Sequence, residues 1–425
     1  MWSRYLYNLT VTLTTVDAGP GRIERLLDTV ESYVALRTVG KLQSQKQSFQ
    51  TDQHSHGAAG ATSSDITRLL LNGRHAYLLG TLDQGFWPDG VYTAPTDEAL
   101  AADLVTLKQL GFNALRKHQK VEPRRFYYHC DRLGIAVIQD FPGGYSGFGN
   151  ATIDAQFRTE LRHMVRRTAP HPSVFAYSIY NEGNAEPWNV SGGAEYIASI
   201  VAELEAADHT STGDESNARL IDAASGWHQA DAGTILSSHS YDAASVPNCS
   251  SPGTLNASAA TDSRGHFALT HCAQHVLLNS EFGGLCLAPS AIGLPEWFDA
   301  GHATFFGDYK CAGWGPTHHN PTNCTKASAA CTCSHGYGVR DVKDAGNNAY
   351  AMSRVYANIT SRIATSLIPA GVSGNIYTQT SDVETEADGL LSYGRVLKVE
   401  PAIIRAANEA ILQAAERYFA LLAAL

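Results

Sequence analysis

The sequence predicts a closed α/β barrel of eight parallel strands, (β/α)8 or TIM-barrel in class, on the strength of three observations. From Leu69 onward, short apolar runs alternate with amphipathic helical patterns, the signature of parallel strands joined by crossover helices. Eight strand-like runs follow one another: Ala76 to Leu82, Asn113 to His118, Ile135 to Asp140, Val174 to Asn181, Arg219 to Ala224, Ile235 to Tyr241, Val276 to Glu281 and Val372 to Gln379. Several of these runs end abruptly in polar or acidic residues, as barrel strands do where they deliver side chains to the mouth.

Each element has a local cause. A helix beginning at Asp97 places Leu100, Leu104, Leu107 and Leu110 on one face and stops at Gly111. The next opens at Pro123, buries Phe126, Tyr127, Cys130 and Leu133, and stops at Gly134; Cys130 is expected to be a buried free thiol. Helical periods recur at Phe157 to Arg167, Tyr196 to Leu204 and Tyr350 to Ile363. The apolar C-terminal segment carries Arg405, Glu409, Glu416 and Arg417 at short intervals. Its Ile404, Ala407, Ile411, Ala414, Ala415, Phe419 and Leu422 make one packed helix face rather than a membrane span.

Residues 1–66 read differently from the barrel at 67–425. Leu6 to Leu13 and Tyr33 to Val39 are strand-like and a polar Gln/Ser/His/Gly stretch from Gln43 to Ser64 follows, which predicts the tail of an all-β domain. A net charge of -10 and the absence of a Lys/Arg-rich run argue against nucleic acid or an anionic membrane as partner, and favour a neutral or weakly charged ligand. Met1-Trp2-Ser3-Arg4 lacks the form of a signal peptide. Seven Asn-X-Ser/Thr sites, at Asn8, Asn150, Asn189, Asn248, Asn256, Asn323 and Asn358, together with eight cysteines, nevertheless point to a secreted or secretory-pathway protein. Cys311, Cys324, Cys331 and Cys333 lie in an insertion at about 286–337 without helix or strand period. Two disulfides are expected there, with Cys331 and Cys333 each bridging to Cys311 or Cys324; a zinc site using Cys331, Cys333 and His318, His319 or His335 is the alternative.

The chemistry is concentrated in two strand ends. Val174 to Tyr180 runs into Asn181-Glu182, and Val276 to Ser280 runs into Glu281 followed by glycines that let the chain turn sharply. Two glutamates at a barrel mouth are the minimum equipment for cleaving a glycosidic bond, one protonating the leaving oxygen while the other meets the oxocarbenium-like carbon. Around them, Arg116 and His118 share a side two residues apart, Asp140 closes the third strand, and His239 and Tyr241 repeat the two-residue spacing on the sixth. Asn181 could hydrogen-bond a sugar hydroxyl or cap a helix. Phe86, Trp87, Trp188, Trp227 and Tyr377 are aromatic candidates for stacking on pyranose faces or for the core. The expected substrate-binding set is therefore Arg116, His118, Asn181, His239, Tyr241, Asp140 and Tyr377.

Several of these segments resemble one known family. Leu82-Asp83-Gln84-Gly85-Phe86-Trp87-Pro88-Asp89-Gly90, Gly111 to His118, His171-Pro172-Ser173, Tyr180-Asn181-Glu182-Gly183 and Ser280-Glu281-Phe282-Gly283-Gly284 are together similar to glycoside hydrolase family 2. Tyr377 to Glu384 resembles its eighth strand. The resemblance implies Glu182 as general acid/base, Glu281 as nucleophile, retention of configuration and no obligatory cofactor or metal. It implies an exo-β-glycosidase, β-galactosidase-like in the first instance, acting on a carbohydrate. It also implies that residues 1–66 are a fragment of an immunoglobulin-like β-sandwich and linker. Departures from the family pattern are Tyr177 in place of a Trp, Asn184 in place of a Trp, no Asn-X-Lys element after the eighth strand, and the cysteine-rich insertion. The missing sandwich strands raise a second reading, a truncated, catalytically silent barrel that binds glycans or serves as a structural module.

Overall fold

The computed structural model describes residues 5–16, 24–44, 66–144, 146–183, 186–187, 190–212, 218–226, 232–241, 274–285, 287, 348–383 and 386–423. The cysteine-rich insertion, most of the polar stretch before Ser64, Trp188 and Trp227 lie outside them. Eight parallel strands form the barrel wall: β6 (Leu78–Asp83), β7 (Ala114–Lys117), β8 (Ala136–Asp140), β9 (Val174–Asn181), β10 (Leu220–Ser225), β11 (Ile235–Ser240), β12 (Val276–Gly283) and β13 (Val372–Thr378). They pair in the order β10-β9-β8-β7-β6-β13-β12-β11. Between β10 and β11 the ladder is replaced by a bridge at Asp222 and Gly233, two contacts between Thr234 and Ile221, and a 2.6 Å bond from Ser237 Oγ to Asp222, so the barrel is nearly closed.

The helices form where their ends are satisfied. Thr96 caps α1 (Asp97–Gln109) by accepting from the Ala99 N–H, acidic residues occupy its first turn, and Leu100, Leu104 and Leu107 are buried. α2 (Arg124–Leu133) ends on Gly134 at φ 65, a left-handed position that glycine takes without a Cβ penalty. Asn150 caps α3 (Ala151–Thr168), which begins six residues earlier than its apolar period suggests because that first turn is exposed. α4 (Gly193–Thr212), α5 (Ala349–Arg362) and α6 (Pro401–Ala423) complete the described helices, and none is long and apolar enough to cross a membrane.

Alternation along the strands divides two apolar layers. Leu79, Leu115, Val137, Ile179 and Ile221 face the helices. Leu78, Leu82, Ala114, Ala136, Ile138, Leu278 and Ile376 belong to a separate cluster inside the wall. Cys130 is buried with a free thiol, as its place on α2 suggested.

The N-terminal part departs from expectation. β1 (Tyr7–Val16) and β2 (Glu24–Val34) form a two-stranded antiparallel ribbon, with no sandwich among the described residues. The single strand expected from Tyr33 to Val39 is interrupted: β2 stops at Val34, residues 35–38 are irregular, and β3 (Val39–Ser44) begins a new pairing. β3 runs antiparallel to β4 (Ile66–Leu71), which also pairs with the short β5 (Arg74–His75) and touches β12, so β3 belongs to the barrel's sheet. The interruption serves as an anchor, since Arg37 donates to the Pro172 and Val174 carbonyls while Tyr33 bonds Asp131 at 2.5 Å.

Candidate active site

Four strand ends converge on one buried charge. Arg116 comes from β7 and is fully buried, so its guanidinium can persist only if every donor finds an acceptor. It bonds Asp140 on β8, Asn181 Oδ1 at 2.8 Å on β9 and Glu281 Oε1 at 2.9 Å on β12. Glu182 follows Asn181 in the left-handed region at φ 56, a strained conformation for a side chain with a Cβ. That turn brings its carboxylate to His239 Nδ1 at 2.7 Å on β11. Tyr241 spans the two glutamates, donating to Glu281 Oε2 at 2.6 Å and standing 3.3 Å from Glu182 Oε1. The polar atoms of Glu182, His239 and Glu281 all lie within 4.8 Å of one another.

Counter-charge decides the ionisation of this group. Burial alone would raise the Asp140 carboxyl, but Arg116 and His118, 2.8 Å away, outweigh it and hold it below the usual range. Glu182 shows the same balance: burial raises it, the His239 hydrogen bond and the charges of His239, Arg116 and His118 prevail, and it is held ionised. Arg116 is pushed up despite its burial by Asp140 and Glu281. Among the described residues, Glu182, His239 and Glu281 are the grouping whose spacing would suit a cation. Arg116 already sets positive charge against Glu281 there.

Residues 65–225, which contain β6 to β10 and Glu182, match the description "Glycosyl hydrolases family 2, TIM barrel domain". This part of the barrel is thus similar to the family 2 barrel domain. A putative beta-glucuronidase of Formosa agariphila is 29% identical over 126 residues, 28% of this chain and 12% of that protein. The beta-glucuronidase of Rattus norvegicus is 26% identical over 219 residues, 48% of this chain and 27% of the rat protein. Among solved structures, Bifidobacterium dentium beta-glucuronidase complexed with coumarin-3-O-glucuronide shares the fold with a TM-score of 0.58 at 16% identity, over 95% of this chain and 54% of that one. A family 2 beta-galacturonidase from Eisenbergiella tayi bound to galacturonate superposes with a TM-score of 0.54 at 15% identity, over 96% and 58%. The matches thus span about half the length of these structures and less of the curated relatives.

The barrel gathers Glu182, Glu281, Arg116, His118, Asn181, His239, Tyr241 and Asp140 at one mouth, though at different depths. Arg116, Asp140 and His239 are buried and bonded to other protein groups: Arg116 and His239 contact the glutamates, and Asp140 contacts Arg116 and His118. The His118 side chain is 17% exposed and Tyr241 is half-buried, which leaves both within reach of a ligand. Tyr377 is a correction. Alternation on β13 turns Ile376 into the barrel and Tyr377 outward, where it is fully buried, stacks edge-on with Phe282 and Tyr356, and donates to the Asp388 carbonyl. Trp87 lies buried under Arg395, whose guanidinium is 4.1 Å from the ring centre, and Phe86 packs on Tyr92.

Parts of this mouth escaped the sequence reading. Ser225 on β10 and Ser280 on β12 bond each other at 2.7 Å, and Ser225 reaches His239 Nε2 at 3.0 Å. Gly226, at φ 109, keeps a Cβ away from the His239 ring and from Glu182 Cγ, both about 3 Å from where it would stand. A strand-end glycine before a tryptophan was the available signal. After β13 a second polar corner joins Gln84, Gln379, Glu386 and Asp388: Gln84 and Gln379 each donate to Glu386 Oε2 at 2.8 Å, and Gln379 donates to Asp388.

Proposed function

We propose that this chain carries the catalytic barrel of a retaining exo-β-glycosidase, with Glu281 as nucleophile and Glu182 as acid/base. The observation that carries the reading is the close approach of the two glutamates, whose facing polar atoms are within 4.8 Å. Retaining glycosidases hold their carboxyl groups at about 5–5.5 Å, whereas inverting ones leave about 6.5–9.5 Å for a water. In the first step Glu281 forms a bond to the anomeric carbon as Glu182 gives its proton to the departing glycosidic oxygen. In the second, Glu182 takes a proton from the attacking water and Glu281 leaves. Arg116 and the Tyr241 hydroxyl aim donors at the two oxygens of Glu281, which keeps the nucleophile oriented before attack. Glu182 is ionised in the free barrel through its contact with His239, so its proton must be acquired as substrate displaces or crowds that contact.

The names of the relatives make a β-glucuronide the first substrate to try, ahead of the β-galactoside suggested by the family resemblance alone. One observation favours a neutral hexoside instead: the cations near these strand ends, Arg116, Lys117, Lys120 and Lys398, are each already in contact with a carboxylate. A panel of aryl β-glycosides, followed by NMR of the first-formed anomer, tests the reading. Release of the β-anomer is expected, and an α-anomer or binding without turnover across the panel would defeat it.

A further inference from the structure

Register places the corner after β13 beside the nucleophile. Phe282 and Gly283, immediately after Glu281, pair with Tyr377 and Thr378, and Tyr377 pairs in turn with Thr81 on β6. The ends of β12, β13 and β6 are therefore adjacent, and Glu281, Gln379 and Gln84 rise from the same rim. Backbone bonds fold the following loop back over it: the Gln379 N–H donates to the Asp388 carbonyl and the Leu390 N–H to the Gln379 carbonyl. Glu386 rides on this return, half-buried, and is close enough to feel the charge of Glu281.

The hydrogen bonds polarise the Glu386 carboxyl. Both amide donors, from Gln84 and Gln379, go to Oε2, which uses that oxygen's acceptor capacity. A proton on Glu386 must therefore sit on Oε1. Resting on the glycosidase reading above, we propose that Glu386 is the specificity-determining residue for glycone charge: as a carboxylic acid it offers Oε1–H to a sugar hydroxyl or a uronate carboxylate, and as a carboxylate it turns a uronate away. The groups that act on it are Asp388 on the returning loop, Glu281 on β12 and the neutral amides of Gln84 and Gln379, while Lys398 bears on Asp388 and is bonded to Asp382. Burial first, then the charges of Asp388 and Glu281, push Glu386 up to about 8, so the acid form is the one present at neutral pH.

The test compares kcat/KM for an aryl β-glucuronide and the matching aryl β-galactoside from about pH 6 to about pH 9, in the full chain and in Glu386→Gln. The glucuronide-to-galactoside ratio should fall on the order of tenfold with rising pH in the unmodified chain and stay flat in Glu386→Gln, because like charges a few ångströms apart repel strongly in a partly dry site. Calorimetric titration of D-glucuronate and D-galactose at the same two pH values reads the same discrimination without requiring turnover. A silent panel with pH-dependent glucuronate binding would leave this assignment standing while removing the glycosidase reading. A pH-independent ratio, or pH-independent binding of both sugars, would overturn it, and the unmodified chain alone suffices if Glu386→Gln does not fold.

Discussion

The two sides of the barrel mouth push the same residue type in opposite directions. On the β7–β8–β9 side, Arg116 sits among carboxylates, and Asp140 and Glu182 are held below the ordinary range although both are largely enclosed. On the β13 side, burial raises Asp382 to about 7 and Glu386 to about 8 and also pushes Asp388 up, with Lys398 bonded to Asp382 alone of the three. Depth is similar in the two regions. The difference is the supply of positive charge, and it divides the rim into a half whose carboxyls are held low and a half whose carboxyls are pushed up.

The largest expected effect comes from removing the charge that creates the first half. Arg116→Met would leave Asp140 and Glu281 buried without their cation, and should cost about 3–5 kcal/mol of stability with loss of turnover. Chemical denaturation checks the stability, and an unchanged midpoint would mean that the pairing contributes little. Glu182→Gln should come next, cutting hydrolysis of unactivated glycosides by roughly 100-fold or more while sparing aryl glycosides with good leaving groups, which need little acid assistance. Equal losses on both substrates would place the acid elsewhere.

The comparison also sets a pH dependence. Between the unfolded carboxylate range near pH 4 and the folded values near 7 to 8, Asp382 and Glu386 bind more protons in the folded chain, so stability falls as pH rises through that window. Asp140 and Glu182 act with the opposite sign: their stabilisation is present above the unfolded carboxylate range and is lost as pH falls below it. Thermal scans should therefore show a midpoint lower by on the order of 5 °C at pH 8 than at pH 5, and Glu386→Gln should flatten part of the slope. A midpoint that rises over the same interval would show that the β13 corner is ionised after all. The smallest effect belongs to Tyr377→Phe, which removes one buried hydrogen bond and should cost about 1 kcal/mol with no change in KM.

The barrel wall was legible because each strand is a compact apolar run closed by a helix stop or a polar end, and β9 was read to the residue, from Val174 to Asn181. The meeting of the two glutamates was legible from their matching contexts, since two parallel strands that each end in an acid bring both to one mouth. Tyr377 was misplaced because a strand buried on both faces carries no amphipathic signal, and only the pairing shows that Ile376 takes the inside position. Glu386 belongs to a loop without period, so nothing in its neighbours announces that the chain returns to the rim. The ribbon of β1 and β2 has strand composition, but partners decide whether strands become a sandwich, and composition does not name them.

Covalent trapping tests the central claim most directly. Incubation with a 2-deoxy-2-fluoro glycosyl fluoride of the accepted sugar slows the second step and should add one glycosyl mass per chain, located by peptide mapping on Glu281 and absent in Glu281→Gln. Turnover of ordinary substrates with no adduct, or an adduct on any other carboxylate, would contradict the account.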